Sequence, residues 1–149
     1  NMTAAREALR PPHHVEGVVV QGDVRGRQLG YPTANDAPPM YAAIPADGVY
    51  AAWFTVLGHG VDLGTVTSGE PYMAAVSVGT NPTFSGRTRT VEAFVLDREA
   101  DLYGQHVAVG LVERFRGLEK LDSVVDLIVA MGKDAERARA ILAASEDVR

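Results

Sequence analysis

Gly48-Val49-Tyr50-Ala51-Ala52-Trp53-Phe54-Thr55-Val56 is the stretch whose reading decides the fold. Its β-branched and aromatic side chains, bounded by the turn pair Asp47-Gly48 and by Gly58, read as a long strand. Working outward, the same texture recurs on both sides. Val18-Val19-Val20 opens a strand and is followed by a turn-rich stretch with Gly22, Gly26 and Gly30. Tyr72 to Val78 reads as another strand. Thr90 to Leu96 is a further one, in which Val91, Ala93 and Val95 alternate with Glu92, Phe94 and Leu96. His106 to Val112 follows, and a short extended piece around Gly64 to Thr67 is either an additional strand or a hairpin arm. Strands at this spacing with no helical stretch between them predict an antiparallel sheet closed into a small barrel. A parallel sheet would need a helix after nearly every strand.

The period changes in the last third. Asp122 or Ser123 can cap a helix that carries Val124, Val125, Leu127, Ile128 and Met131 on one broad face. Gly132 is expected to end it, and Asp134 to start a second helix with Ala135, Ala138, Ile141 and Leu142 at helical spacing. Both helices are expected to pack on the barrel. At the other end, residues 3–10 are helix-forming and stop at Pro11-Pro12. Residues 1–14 are therefore read as a linker and residues 15–149 as the folded domain. Asn1 ahead of Met2 is an unusual start, and the natural chain is expected to be longer.

Composition contributes exclusions. The chain has 149 residues, 46% hydrophobic and 22% charged, which suits one domain with a real core. With 14 Lys and Arg against 19 Asp and Glu, the net charge of −5 argues against binding nucleic acid by phosphate neutralisation. No Cys is present, so disulfides and thiolate metal sites are ruled out. No apolar run approaches the roughly 20 residues that span a bilayer, and the N-terminus lacks the apolar core of a signal peptide. The expectation is a soluble cytoplasmic protein without membrane partners. His13, His14, His59 and His106 do not stand at metal-ligand spacing, and no G-x-S-x-G nucleophile elbow occurs.

The chemistry-bearing segment is Gly22-Asp23-Val24-Arg25-Gly26-Arg27-Gln28-Leu29-Gly30-Tyr31-Pro32-Thr33-Ala34-Asn35. Three glycines in nine residues permit close approach of backbone N–H groups to a ligand, and such concavities bind phosphate oxygens. The segment is neither GxxxxGK[ST] nor GxGxxG, so the two best-known phosphate loops are excluded. Its ending supplies a Thr hydroxyl and an Asn carbonyl, neutral oxygens that suit a Mg²⁺ ion already surrounded by nucleotide oxygens and water.

That string resembles the signature of the riboflavin kinase family. Later segments agree in order: Asp47-Gly48-Val49-Tyr50-Ala51, Ser77-Val78-Gly79-Thr80-Asn81-Pro82-Thr83-Phe84, Val91-Glu92-Ala93-Phe94-Val95-Leu96-Asp97, Asp101-Leu102-Tyr103-Gly104, and Arg114-Phe115-Arg116-Gly117-Leu118-Glu119-Lys120. The likeness runs from about Val15 to Ile141. His13 or His14 stands where the family usually carries an aromatic residue, and Leu121 where Phe is commoner; both are peripheral to the transfer site.

The resemblance implies a mainly β fold, a six-stranded antiparallel Greek-key barrel with C-terminal α-helices. It implies transfer of the ATP γ-phosphoryl group to the ribityl 5′-hydroxyl of riboflavin, giving FMN and ADP. Glu92 would be the general base. Taken alone, a strand carboxylate at this position is ordinarily just solvated. Thr33 would ligate Mg²⁺ with Asn35 as its partner, and Gly22, Gly26 and Gly30 would shape a lid over the nucleotide phosphates. Asn81 would border the nucleotide, and Arg116 with the loop after it would close over the isoalloxazine ring. In bacteria this kinase usually forms the C-terminal half of an FAD synthetase, so the resemblance also implies an N-terminal FMN adenylyltransferase domain as partner. The alternative is a non-catalytic flavin- or nucleotide-binding barrel, and retention of Thr33, Asn35 and Glu92 argues against it.

Overall fold

The aromatic stretch at 48–56 is a strand covered on both of its faces. Tyr50, Ala52, Phe54 and Val56 point into the barrel interior, whereas Ala51 and the half-buried Trp53 lie under a C-terminal helix. Double coverage explains why this stretch reads as a nearly continuous apolar run instead of a clean alternation. The computed structural model describes residues 14–23, 26–30, 46–58, 64–83, 86–98 and 102–148. Within them lie β1 (His14–Asp23), β2 (Gly26–Gly30), β3 (Gly48–Val56), β4 (Pro71–Thr83), β5 (Gly86–Val95), β6 (His106–Arg116) and the helix α1 (Val124–Val148).

The protein is mainly β and antiparallel, with one C-terminal helix among the described residues. Neighbouring strands run β1-β2-β5-β4-β3-β6, and β6 pairs back with β1, so the sheet closes on itself. Val15, Val19, Val76, Val78, Val91, Ala93, Val107, Val109 and Leu111 join the inward residues of β3 in one core. A second, smaller cluster lies outside the barrel, where Ala138 and Leu142 of α1 meet Ala51, Ala75 and Leu96.

Two differences from the sequence reading have physical causes. The piece around Gly64 is a turn, and the additional strand is β2, which lies inside the glycine-rich stretch. Its glycines signal a turn, yet β2 is paired on both edges, Val19 with Leu29 on one side and Leu29 with Val91 on the other. Hydrogen bonding on two sides overrides a weak intrinsic strand preference. Gly22, Gly26 and Gly30 are thus strand residues of a hairpin whose tip, Val24-Arg25, lies outside the described residues. His14, expected in a linker, opens β1.

The two expected helices are one. Ser123 caps it as expected, its Oγ accepting the Asp126 N–H at 3.0 Å. Gly132 is exposed within the helix, and Met131, Asp134, Ala135 and Ala138 carry the covered stripe straight past it. Packing of that stripe outweighs the roughly 1 kcal/mol that a mid-helix glycine costs. Val124, Val125 and Ile128, expected to pack on the barrel, are 60%, 68% and 59% exposed, because the covered stripe at Ala130, Ala138 and Leu142 turns them away. A Cβ at Gly132 would meet nothing within 4 Å. Gly132→Ala is therefore expected to stabilise the protein by about 0.5–1 kcal/mol, seen as a raised Tm; a lowered Tm would mean that the chain breaks there after all.

Candidate active site

Glu92 sits in the middle of β5, where register fixes its surroundings. Val91 and Ala93 are fully buried in the barrel, so the alternation of the strand turns Glu92 outward, and it is exposed. It is paired with Gln28 of β2 on one side and Ser77 of β4 on the other. Ser77 is in turn opposite Val49 of β3, and Val49 opposite Arg116 of β6. One rung thus crosses five strands from Gln28 to Arg116. Among the described residues, none hydrogen-bonds or ion-pairs with the Glu92 carboxylate. Among the described residues nothing occupies its two oxygens, which can accept a proton or a hydroxyl hydrogen bond.

The next outward rung pairs Gly79 with Thr90. A Cβ built on Gly79 would lie 3.5 Å from Leu118 Cδ1 and 3.9 Å from Thr90 Oγ1. Leu118, on the segment after β6, thus lies over Gly79, one rung from Glu92. Leu118 remains 47% exposed there. The described face therefore combines a carboxylate with one half-exposed apolar side chain, Leu118, on the neighbouring segment.

Arg116 anchors that segment. Its Nε and Nη2 donate to Oδ1 and Oδ2 of Asp134, both at 2.7 Å, and its Nη1 donates to the Gly117 carbonyl at 2.9 Å. Hydrogen bonding to Asp134 holds the guanidinium above its ordinary value, against partial desolvation and with help from the Asp134 and Glu119 charges. Nearby, Arg114 Nε donates to the Asp47 carbonyl at 3.0 Å. Gly48 makes room for it: its φ is 153°, and a Cβ there would run into Arg114 Nε and lie 2.9 Å from the Arg116 carbonyl oxygen.

The register brings some of the expected residues together and separates others. Gly30 ends β2 one position beyond Leu29, opposite Val91, and Asn81 pairs with Thr88, two positions beyond the Gly79 rung. Gly30 and Asn81 therefore lie toward the β4-β5 turn, whereas Gln28, opposite Glu92, stands midway between Gly26 and Gly30. Gly22 and Gly26 lie at the opposite end of the hairpin, about 13 Å from Gly30 at the usual strand rise. Thr33 and Asn35, and the side chain of Asn81, lie outside the described residues; Thr33 follows β2 by three residues, from the end that Gly30 marks. Asp134, read in the sequence as the start of a second helix, pairs instead with Arg116, a partner 18 residues away on another element that no local signal marks. Leu118 was named only as part of the 114–120 motif, because only the tertiary fold sets it against Gly79.

Comparison with known proteins fits this arrangement. The riboflavin kinase family model, Flavokinase, matches residues 9–142. A bifunctional riboflavin kinase/FMN adenylyltransferase of Listeria monocytogenes is 33% identical over 144 residues, covering 96% of this chain and 42% of that protein. Human riboflavin kinase is 32% identical over 143 residues, covering 93% of this chain and 86% of that one. Among solved structures, a Streptococcus pneumoniae protein described as a macrolide-efflux protein aligns with a TM-score of 0.67 at 27% identity, over 93% of this chain and 46% of that one. The riboflavin kinase of Trypanosoma brucei shares the fold, with a TM-score of 0.58 at 23% identity over 87% of this chain and 78% of that one. The chain spans about two fifths of the length of the bifunctional relatives it matches. No described helix is long and apolar enough to cross a membrane. An outward carboxylate on a mainly β scaffold, an apolar flank beside it and a match over nearly the whole chain agree on one assignment: this chain belongs to the riboflavin kinase family.

Proposed function

We propose that this chain transfers the γ-phosphoryl group of ATP to the 5′-hydroxyl of riboflavin, releasing FMN and ADP. The observation that carries the proposal is the position of Glu92, outward and unpaired among the described residues, between Ser77 and Gln28. A primary alcohol is a weak nucleophile, and phosphoryl transfer needs an aligned oxygen and an acceptor for its proton. In the step, the ribityl oxygen forms a bond to the γ-phosphorus while the bridge from that phosphorus to the β-phosphate oxygen breaks. The hydroxyl proton passes to the Glu92 carboxylate. The transition state is loose in most analyses, so Glu92 acts as much by orienting the hydroxyl as by removing its proton.

The remaining assignments belong to the same proposal. Thr33 and Asn35 would hold Mg²⁺ through a hydroxyl and an amide oxygen, a donor set that suits this ion when phosphates supply further ligands. Bound there, Mg²⁺ supplies charge neutralisation at the phosphate oxygens. Gly22, Gly26, Gly30 and Asn81 are assigned to the nucleotide side. Leu118 offers a wall for an isoalloxazine ring, with Arg116 at the base of that wall. The six-stranded Greek-key description is supported by the order β6-β3-β4-β5, in which β6 returns beside the first of three hairpin-linked strands. A domain spanning 15–149, a cytoplasmic setting and a fused N-terminal FMN adenylyltransferase complete the reading; the length of the bifunctional relatives supports the last.

The test is product formation. The chain, riboflavin and ATP are incubated with and without Mg²⁺, and flavins are separated by chromatography. FMN is expected with Mg²⁺ and not after chelation. Flavin or nucleotide binding without FMN at any Mg²⁺ concentration would favour the non-catalytic barrel.

A further inference from the structure

The Arg116–Asp134 pair does more than join β6 to α1. Arg116 is the last residue of β6, and the residues from Gly117 to Asp122 form no regular structure before α1 begins. In that interval Leu118 reaches back over Gly79, one rung from Glu92. The take-off direction of the segment is set where β6 ends, and there the guanidinium is held by a two-bond fork to Asp134 and by the Gly117 carbonyl. The Asp134 side chain is only 13% exposed and that of Arg116 28%, so solvent screens this pair less than a surface ion pair. A forked carboxylate fixes direction as well as distance, which a single hydrogen bond cannot do.

We propose that Asp134 is a positioning residue for the acceptor: by fixing Arg116 it holds the 117–122 segment, with Leu118, in the arrangement that receives the flavin beside Glu92. The inference rests on the proposed function for the identity of the acceptor, but the clamp itself rests on geometry. Among the described residues, the Asp134 carboxylate is bonded to Arg116 and not to Glu92. Its loss should therefore weaken acceptor binding and spare the chemical step.

Asp134→Asn keeps the shape and one acceptor oxygen but removes the charge and the second acceptor. It is expected to raise the KM for riboflavin about tenfold, leaving kcat and the KM for ATP within about twofold. Asp134→Glu, which restores the carboxylate, should recover most of the loss. The readout independent of turnover is tryptic cleavage after the exposed Lys120, which should be faster in Asp134→Asn at temperatures well below its Tm. An unchanged riboflavin KM, or equal rises in both KM values accompanying a lowered Tm, would overturn the proposal and leave Asp134 as a helix anchor. If the parent chain makes no FMN, the functional reading fails on its own. The clamp is then judged by Lys120 cleavage and by direct riboflavin binding followed by fluorescence, and unchanged values in Asp134→Asn overturn it.

Discussion

Glu92→Gln is expected to lower kcat about 10²- to 10⁴-fold, the range that a positioned acid–base group contributes. Gln keeps the size and one carbonyl oxygen, so it can still accept a hydrogen bond from the ribityl hydroxyl. It cannot take up the proton. The KM for ATP should change little, because Glu92 faces the acceptor in this account. Stability should also be unaffected. Glu92 is exposed and unpaired among the described residues, and surface substitutions of this kind stay within about 0.5 kcal/mol. An unchanged Tm with lost turnover separates chemistry from folding. Near-normal turnover would show that Glu92 is only a solvated strand carboxylate.

The largest expected effect on stability comes from the opposite face of the sheet. Phe54 has no exposed surface and is among the largest fully buried side chains. It is held in β3 between Tyr72 of β4 and Val109 of β6, at the centre of the barrel interior. Phe54→Ala removes a ring that the closed barrel cannot collapse to fill, and it should cost about 3–5 kcal/mol. Domains of this size have only about 5–15 kcal/mol in total, so the variant should be largely unfolded well below the parent Tm. Urea unfolding followed by the fluorescence of Trp53, one residue away, measures the difference. A midpoint within error of the parent would mean that the interior is loosely packed.

How much of this was legible in the sequence depended on whether local signals agreed with tertiary ones. β3 was readable because its side chains favour strands and its ends carry turn residues. The outward position of Glu92 was readable because Val91, Ala93 and Val95 alternate with it, and the alternation is what the closed barrel imposes; its role was legible only through the family motif. β2 was not readable, since its glycines signal a turn while its pairing to β1 and β5 makes a strand. The continuity of α1 through Gly132 was hidden for the same reason: a local helix-stop signal lost to packing against Ala51, Ala75 and Leu96. The Arg116–Asp134 fork left no trace in sequence, because neither residue has a local partner that announces it. Thr33 and Asn35 are legible only as a motif, and their assignment rests on the chemistry of hydroxyl and amide oxygens.

The most direct test of the central claim follows the phosphorus atoms. The chain is given riboflavin, Mg²⁺ and ATP labelled at the γ-phosphate in one reaction and at the α-phosphate in another. The γ-label is expected to enter FMN, one for each ADP formed, and no flavin to carry the α-label. Flavin carrying the α-label would mean adenylyl transfer by this chain. ATP consumed with all the γ-label released as inorganic phosphate, or no labelled flavin in either reaction, would contradict the assignment of phosphoryl transfer to riboflavin.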